Sequence, residues 1–245
     1  LLRSTRTLSL TAEGQAYLQA AHRILAELDT AEQQIADQGA PRGHLRISAA
    51  LSHGRLCVVP LLNRFTTLYP HIHLDVALTD ALVDVAAGDA DVDIRVGALA
   101  TSSLTARKVG STRRVVVAAP DYLARHGTPA TPEDLRHHNC LSFTFRRDRP
   151  HWPFRRDGRE FALAVRGNLE ANNGDTVGQL AALGMGIARV GAFAVEPEIA
   201  DGRLVPLLET YNPGDMEDFH AVFVGGATIP ARVRAFVDFL ADALK

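Results

Sequence analysis

The chain has 245 residues, of which 47% are hydrophobic and 22% are charged, which is typical of a globular protein and excludes a disordered chain. The formal net charge is -2, from 28 acidic and 26 basic residues, and this excludes a nucleic-acid binder that works through bulk positive charge alone. The sequence has no apolar run of about 18 residues, no secretory signal pattern and only two cysteines, so we expect a cytoplasmic protein with no membrane span.

The first ten residues predict a β-strand that belongs to a preceding domain. Residues 3–10 have the composition of a strand, and the backbone groups of a strand need a partner, which we expect upstream. The chain also begins with Leu1 rather than with Met. We therefore expect that an N-terminal portion of the protein precedes this chain.

Residues 11–38 predict one long helix. Thr11 is a suitable N-cap, and Glu13 lies in the first turn, where a negative charge complements the helix dipole. Apolar residues then recur at steps of four and three, which is typical of a helix that pairs with another helix. The residues of this predicted dimer seam are Tyr17, Ala21, Ile24, Leu28, Ala31 and Ile35. A surface helix packed on its own domain is the alternative, and the glycines and proline within 39–43 predict a hinge after the helix.

Strands and helices alternate in the next part of the chain. The predicted elements are strands at 45–49, 72–78 and 92–96 and helices at 52–69 and 82–87. This order predicts a mainly parallel sheet with right-handed crossovers. Ligands bind at the carboxyl ends of the strands in such sheets.

A second unit of the same kind follows. Arg156, Asp157 and Gly158 are typical of a tight hairpin turn, and Pro230 suits the start of a last helix. The other predicted elements are strands at 115–118, 140–145, 205–208 and 221–224, a strand that begins near 187, and helices at 121–126, 131–137 and 175–183.

Two predicted helix starts are candidates for a ligand site. Residues 52–54 open one helix, and Asn172, Asn173 and Asp175 lie at the start of another in the second unit. Backbone N–H groups at a helix start bind carboxylates. If the two starts face each other across a cleft, they form a receptor for a small polar or anionic molecule.

Other clusters favour structural roles, so we expect no metal, cofactor or catalytic residue. The aspartates between 80 and 93 lack the distal glutamate of a calcium loop, and no third ligand follows His71 and His73. Cys140 has the pattern of a small buried residue. The arginines around Trp152 and Phe154 favour a solvated hairpin. The alternatives are the entrance to a ligand-binding site and a site for single-stranded nucleic acid. These arginines are Arg146, Arg147, Arg149, Arg155, Arg156 and Arg159.

Several short segments occur in a distinctive order. They are residues 3–14 (RSTRTLSLTAEG), 43–48 (GHLRIS), 93–97 (DIRVG), 119–123 (APDYL), 183–187 (LGMGI), 202–204 (GRL) and 232–240 (RVRAFVDFL). In order and spacing they resemble the LysR-type transcriptional regulators over nearly the whole chain. The first segment resembles the end of that family's winged helix-turn-helix and the start of its linker helix.

The resemblance implies an α/β fold. It implies a periplasmic-binding-protein-like effector domain of two α/β subdomains, preceded by a wing remnant and a long linker helix. Residues 1–10 would be the wing strand and 11–40 the linker and dimerisation helix. Residues 44–112 and 213–245 would form subdomain I, and residues 113–212 subdomain II.

The resemblance also implies a DNA-binding transcriptional regulator, not an enzyme, whose C-terminal domain binds a small-molecule inducer. Arg189 stands where the family commonly has a Leu-Pro turn, and an arginine entering the cleft there would favour an anionic inducer such as a carboxylate. The implied inducer-binding residues are Ser52, His53, Arg95, Val96, Gly97, Phe143, Thr144, Asn173, Asp175, Ile187 and Arg189.

The implied partners are the inducer, double-stranded DNA and further copies of the chain in a homodimer or tetramer. The family's recognition helix, which contacts bases, is missing here, so Arg3 and Arg6 would contact only DNA phosphates as wing residues. A solute-binding protein of a transport system is the main alternative, and it predicts an export signal and no dimer helix. An enzyme on a related fold is a second alternative, and it predicts a nucleophile–base pair or a metal cluster.

Overall fold

Strands and helices alternate along most of the chain. The computed structural model describes residues 2–3, 8–9, 11, 13–14, 17, 20–21, 24, 40–97, 99, 103–144, 151–226 and 229–244. The strands are β1 (Leu2–Arg3), β2 (Leu8–Ser9), β3 (Gly43–Ala49), β4 (Ile72–Leu78), β5 (Val92–Val96), β6 (Thr105–Ala118), β7 (Cys140–Phe143), β8 (His151–Arg156), β9 (Arg159–Ala164), β10 (Glu170–Ala171), β11 (Ile187–Gly191), β12 (Val205–Leu207) and β13 (Met216–Phe223).

Helix α1, which follows β3, is continuous but changes its hydrogen-bond pattern along its length. It is α-helical over Leu51–His53, π-helical over Gly54–Val58 and α-helical again over Val59–Leu68. The other helices are α2 (Pro120–His126), α3 (Gly174–Ala182), α4 (Glu196–Ala200) and α5 (Ala231–Ala243), with short 3₁₀ helices at Pro132–His137, Ala192–Ala194 and Glu209–Tyr211.

A nine-stranded sheet runs through both halves of the molecule. Its order is β10, β7, β11, β6, β13, β5, β3 and β4, with β12 beside β6. Strand β6 is shared between the halves, because residues 105–113 pair antiparallel with β13 and residues 114–117 pair antiparallel with β11. The pair β6 and β13 therefore joins the two halves of the sheet.

The described hydrophobic residues form three buried clusters. The first, within 45–109 and 219–240, surrounds Phe65, whose ring contacts the rings of Tyr69, Phe236 and Phe239. The other two lie within 115–208 on the remaining half of the sheet. The halves thus have separate cores, although they share one sheet.

Most predicted elements of the first half are confirmed, including the three strands and their parallel pairing. The helix predicted at 82–87 is wrong, because this segment forms turns. The Asp84 carboxylate accepts a hydrogen bond from the Ala87 N–H, and Gly88 has a φ of 86°. Leu82 is 97% exposed, whereas Val85 is 3% exposed, so the apolar residues of this segment do not form one buried face that would stabilise a helix.

Two strands in the centre of the sheet are longer than predicted. Strand β6 begins at Thr105 rather than at 115, and β13 begins at Met216 rather than at 221. The added parts are rich in charged residues, so they lack the apolar pattern of a buried strand. Their cations are neutralised in the ion pairs Arg107–Asp238, Lys108–Asp218, Arg113–Glu209 and Arg114–Glu217.

The predicted hairpin in the second half is confirmed. Strands β8 and β9 pair antiparallel and are joined by Asp157 and Gly158, which have φ values of 49° and 75°. Positive φ at both central residues is the condition for a two-residue type I′ turn. The helix predicted at 131–137 is a 3₁₀ helix with a capping box formed by Thr131 and Asp134.

The prediction of one wing strand over residues 3–10 is wrong. Strands β1 and β2 pair antiparallel with each other, with Leu2 opposite Ser9 and Arg3 opposite Leu8, so β2 does not need an upstream partner. The prediction was based on strand composition alone, and composition does not show that the chain reverses direction between β1 and β2.

The predicted linker helix is helical at each of its described positions from 13 to 24. The Thr11 hydroxyl accepts a hydrogen bond from the Gly14 N–H at 3.1 Å, which confirms Thr11 as the N-cap. Tyr17 is 78% exposed and Ile24 is 65% exposed, while Leu28, Ala31 and Ile35 lie outside the described residues. Among the described parts of the chain, no helix is long and apolar enough to cross a membrane.

Truncation of Phe65 tests the core of the first half. Because the Phe65 side chain is fully buried among three aromatic rings, we expect Phe65→Ala to lower the free energy of unfolding by about 3–5 kcal/mol. Urea unfolding followed by circular dichroism measures this loss. The exposed neighbour provides the control, since Thr66→Ala should change the free energy by no more than about 0.5 kcal/mol. A loss below about 1 kcal/mol for Phe65→Ala would contradict this packing.

Candidate functional site

A cleft of about 610 Å³ lies between the two halves of the molecule. It is bordered by the start of α1 and the end of β5 on one side and by the ends of β7 and β11 on the other. Its lining residues are Ala50, Ser52, His53, Asp80, Arg95, Val96, Gly97, Arg114, Phe143, Asn172, Asn173, Gly174, Val190, Gly191, Phe193, Ala194 and Glu217. The cleft therefore lies at the carboxyl ends of the parallel strands, as expected for an α/β sheet.

Three polar contacts connect the two halves at one end of the cleft. The Ser52 hydroxyl donates to Asn173 Oδ1 at 3.3 Å and accepts from the Asp175 N–H at 3.0 Å. Arg55 Nη2 is 2.5 Å from Asp175 Oδ2. Asn173 is also the N-cap of α3, since its side chain accepts from the Thr176 N–H at 2.9 Å. The two predicted helix starts thus face each other and touch directly.

His53 is a fully buried histidine in the cleft wall. Its ring lies 4.0 Å from the Phe219 ring and 5.6 Å from the Phe193 ring, measured between centroids. Neither ring nitrogen has a hydrogen-bond partner within the described part of the chain. Burial in this aromatic environment lowers the pKa of His53 to about 4, so the imidazole is neutral near pH 7.

A glycine allows α1 to approach the sheet beside this histidine. A Cβ atom on Gly54 would lie 2.5 Å from Leu78 Cδ2 and 3.0 Å from the Ala49 Cβ. The π-helical segment also begins at this glycine. Such segments often occur at functional sites.

The charged groups of the cleft form internal pairs. Arg95 Nε donates to the buried carboxylate of Asp93 at 2.5 Å, and Arg95 Nη2 donates to the Ala81 carbonyl at 2.8 Å. Arg114 forms a partly buried ion pair with Glu217. Each guanidinium has five N–H donors, so both arginines retain donors beyond these contacts.

The structure brings most of the predicted inducer-binding residues to the cleft. Those in its lining are Ser52, His53, Arg95, Val96, Gly97, Phe143 and Asn173. Asp175 lies just outside the lining, where it bonds Ser52 and Arg55 across the two halves. Thr144 is exposed beyond the end of β7.

Two predicted residues lie elsewhere. Ile187 is fully buried in the core at the start of β11, far along the strand from the cleft. Arg189 does not enter the cleft: its side chain is buried and forms an ion pair with Asp215. Burial lowers the pKa of Arg189, while the Asp215 carboxylate opposes this effect. The arginines that line the cleft are Arg95 and Arg114.

Several lining residues were not predicted from the sequence, above all Arg114, Phe193 and Glu217. Arg114 and Glu217 lie on the charged parts of β6 and β13, which were not recognised as strands. The pairing of β6 with β13 brings them together. The only signal in the sequence that could have predicted these strands was the alternation of residue types that is typical of a half-exposed strand.

Cys140, His71 and His73 lie outside the lining of the cleft, whereas Asp80 is part of it. Burial raises the pKa of the Cys140 thiol to about 12, so this cysteine is a poor nucleophile. No group of three or more His, Cys, Asp or Glu side chains in the described ranges could hold a metal ion.

The basic hairpin has two buried aromatic side chains and two arginines in ion pairs. Trp152 and Phe154 are buried in the core, so their rings are not available to stack on a nucleic-acid base. Arg155 pairs with Glu160, and Arg156 pairs with Glu133. Arg159 is exposed, and Arg146, Arg147 and Arg149 lie outside the described residues.

Comparisons with known proteins agree with this architecture. The LysR substrate binding domain family matches residues 38–245. The chain is 35% identical over 245 residues to the HTH-type transcriptional regulator CrgA of Neisseria meningitidis serogroup C, and the match covers 100% of this chain and 82% of CrgA. It is 37% identical over 251 residues to an HTH-type transcriptional regulator of Xanthomonas campestris pv. campestris, with 100% of this chain and 72% of that protein covered.

Solved structures show the same relationship. The structure of CrgA from Neisseria meningitidis superposes with a TM-score of 0.77 at 34% identity, over 99% of this chain and 83% of that chain. The CrgA regulatory domain superposes with a TM-score of 0.76 at 32% identity, over 84% of this chain and 100% of that domain.

The two-halved sheet and its polar cleft define a periplasmic-binding-protein-like effector domain. The family match and the relatives show that the chain belongs to the LysR-type transcriptional regulators. Members of this family bind small-molecule effectors and DNA and form oligomers. The relatives are named transcriptional regulators, which are neither enzymes nor transport solute-binding proteins, so the comparisons favour a regulator over both alternatives.

The buried His53 gives the protein a predictable dependence of stability on pH. The folded state holds His53 neutral with a pKa near 4, whereas an unfolded histidine has a pKa near 6.5. The unfolded state therefore binds the proton first, and stability is lost as the pH falls from 6.5 to 4. We expect this residue to contribute about 3 kcal/mol of the loss.

Urea unfolding at several pH values tests this expectation. His53→Gln should flatten the decline in the free energy of unfolding between pH 6.5 and pH 4. The exposed histidine variant His71→Gln should keep the wild-type decline. If the profiles of wild type and His53→Gln run parallel over this range, the assignment to His53 is wrong.

Proposed function

We propose that the cleft is the effector site of this regulator and that the effector is a small carboxylate. The observation that carries the proposal is the cleft of about 610 Å³ between two separately packed halves, with polar groups contributed by both. This volume lies within the range of small-molecule sites. A regulator of this kind acts in the cytoplasm, where its DNA target lies.

The chemistry of the lining supports a carboxylate. Arg95 and Arg114 approach from different halves, and a guanidinium binds a carboxylate through two parallel hydrogen bonds. Ser52 and Asn173 add a hydroxyl and an amide, and the first turn of α1 adds backbone N–H groups. Phe143 supplies an apolar surface for the rest of the effector.

The effector would act by changing the angle between two subdomains. We assign residues 44–112 with 213–245 to subdomain I and residues 113–212 to subdomain II. An effector that contacts Arg95 in one and Asn173 in the other would favour one relative orientation. Such a shift requires that the effector bind the two orientations with different affinity.

The linker helix would transmit this change in a homodimer or tetramer. Exposed apolar side chains at Tyr17 and Ile24 support its pairing with a second helix. In the full-length protein the N-terminal helix-turn-helix would read double-stranded DNA, while Arg3 and Arg6 would contact phosphates next to it. The spacing of the two DNA-binding heads would then depend on the angle between the subdomains.

A thermal-shift screen of small aliphatic and aromatic carboxylates tests the effector class. A carboxylate present at 100 times its Kd should stabilise the full chain by about 2.7 kcal/mol. Arg95→Gln should weaken binding at least about tenfold, because a charge-assisted hydrogen bond contributes about 1.5–3 kcal/mol.

Two further variants keep this test specific. Arg114→Gln should weaken the same carboxylate from the other half of the cleft, and this covers the case in which loss of Arg95 unfolds the chain. Arg107→Gln removes an arginine outside the cleft and should leave binding unchanged. Stabilisation by neutral compounds only, with no response to any acid, would refute the carboxylate.

The dimer seam is tested with charged substitutions. Ile24→Asp or Tyr17→Asp would place a carboxylate in an apolar helix pair, so we expect the dimer Kd to rise at least about tenfold. Sedimentation velocity across a concentration series measures this change. Glu13→Gln alters an exposed residue off the seam and should keep the wild-type assembly. Unchanged assembly in both seam variants would contradict the proposed interface.

A further inference from the structure

A second concave site lies on the second half of the molecule, away from the cleft. This basic pocket has a volume of about 570 Å³. It is lined by Tyr122, Arg125, His126, His137, His138, Asn139, Arg166, Gly167, Asn168, Gly184 and Met185. These residues come from α2, the 3₁₀ helix before β7, and the turns that lead into β7, β10 and β11.

The basic pocket and the cleft lie at opposite ends of the same strands: the basic pocket is at the N-terminal ends of β7 and β11, and the cleft is at their C-terminal ends. Asn139 immediately precedes β7, whereas the cleft residue Phe143 is the last residue of that strand. Four residues of strand span about 13 Å. Met185 likewise lies before β11, and the cleft residues Val190 and Gly191 lie at its end. A ligand in the basic pocket would therefore not occupy the effector site.

The lining of the basic pocket has one sign of charge. It contains two arginines and three histidines, and none of its described lining residues is an aspartate or a glutamate. The cleft differs in this respect, because its lining includes Asp80 and Glu217. The basic pocket thus collects hydrogen-bond donors and positively charged side chains, and no acidic side chain in its described lining neutralises them.

The two arginines keep donors available. Arg125 Nε donates to the Asp121 carbonyl and Nη2 to the Gly184 carbonyl, each at 3.1 Å, which fixes the guanidinium at the rim. Three of its five N–H groups are not used in these bonds. Arg166 is exposed and has neither an ion pair nor a side-chain hydrogen bond among the described residues.

A hydrogen-bond chain orients one of the histidines. The Tyr122 hydroxyl accepts a hydrogen bond from the Asn139 N–H at 3.0 Å and lies within hydrogen-bond distance of His138 Nδ1, at 3.3 Å. Burial lowers the pKa of His138, and the neighbouring His126 and His137 lower it further, while Asp134 opposes them.

Helix capping accounts for only part of this cluster. Arg125 and His126 lie in the last turn of α2, where positive charge complements the helix dipole. Arg166 and His138 belong to separate segments and have no such role at α2. Nor could these histidines form a metal site, since no suitable group of ligands occurs within the described residues.

We propose that the basic pocket binds the phosphate group of a small molecule. A phosphate has several acceptor oxygens and two negative charges near neutral pH, and it requires several convergent donors. Arg125 and Arg166 supply the charge, and the histidines and the Asn168 amide add donors around it. This places a second ligand on the same subdomain as one wall of the effector cleft.

Equilibrium dialysis of the full chain against radiolabelled inorganic phosphate tests the site. We expect saturable binding of one phosphate per chain. Sulfate, which has the same tetrahedral shape, should displace the bound phosphate, and acetate should not. Arg166→Ala and Arg125→Ala should each weaken phosphate at least about tenfold. Arg136→Ala removes an exposed arginine next to the basic pocket but outside its lining, and it should keep the wild-type affinity.

Three results would overturn the proposal. The first is the absence of saturable phosphate binding to a folded wild-type chain. The second is wild-type affinity in the Arg166→Ala variant, whose side chain has no bond on which the fold depends, because phosphate would then bind elsewhere. The third is displacement by a short DNA duplex of arbitrary sequence at a lower concentration than sulfate, with loss of duplex binding in both pocket variants. That result would assign the pocket to the DNA backbone.

Discussion

The antiparallel pairing of β6 with β13 is the interaction on which the rest of the structure depends. These strands lie in the middle of the sheet, and β6 continues beyond β13 to pair with β11. One backbone ladder therefore links the first hydrophobic cluster to the two clusters of the other half. Because the halves are joined by two strands and not by a common core, a cleft can form between them. The ladder also carries Arg114 and Glu217 into that cleft.

Contacts across the cleft are of a different kind from those within each half. The cores are apolar and close-packed, so their disruption costs several kcal/mol. At one end of the cleft, the contacts between the halves are two hydrogen bonds of Ser52 and one partly exposed ion pair of Arg55 with Asp175. Elsewhere the Phe193 ring contacts the rings of His53 and Phe219, and Arg114 pairs with Glu217. Polar contacts such as those of Ser52 and Arg55 contribute about 1 kcal/mol each or less. These polar contacts are therefore weaker than the packing within each half, and under the proposed function an effector in the cleft would bias the relative orientation of the halves.

Both candidate sites lie at strand ends of the same sheet, but they differ in electrostatics. In the cleft, positive charges are already paired with carboxylates, and a neutral histidine is kept between two aromatic rings. At the opposite ends of the strands, Arg125 and Arg166 have no carboxylate partner among the described residues. A molecule in the cleft must therefore compete with existing pairs through shape and multiple contacts, whereas the basic pocket would attract an anion by charge.

Apolar patterning alone determined the strands at 45–49, 72–78 and 92–96, because a strand buried on one or both faces must place apolar residues in a regular order. Separately, the polar residues at the predicted starts of α1 and α3 indicated a ligand site, on the condition that the two starts face each other across a cleft. The tertiary structure decided where charged strands run, because β6 between residues 105 and 114 is held by a backbone ladder and by surface ion pairs that leave no apolar signature. For the same reason only the fold showed that Arg189 pairs with Asp215 while Arg114 lines the cleft, since the direction of a side chain depends on the register of strands distant in sequence.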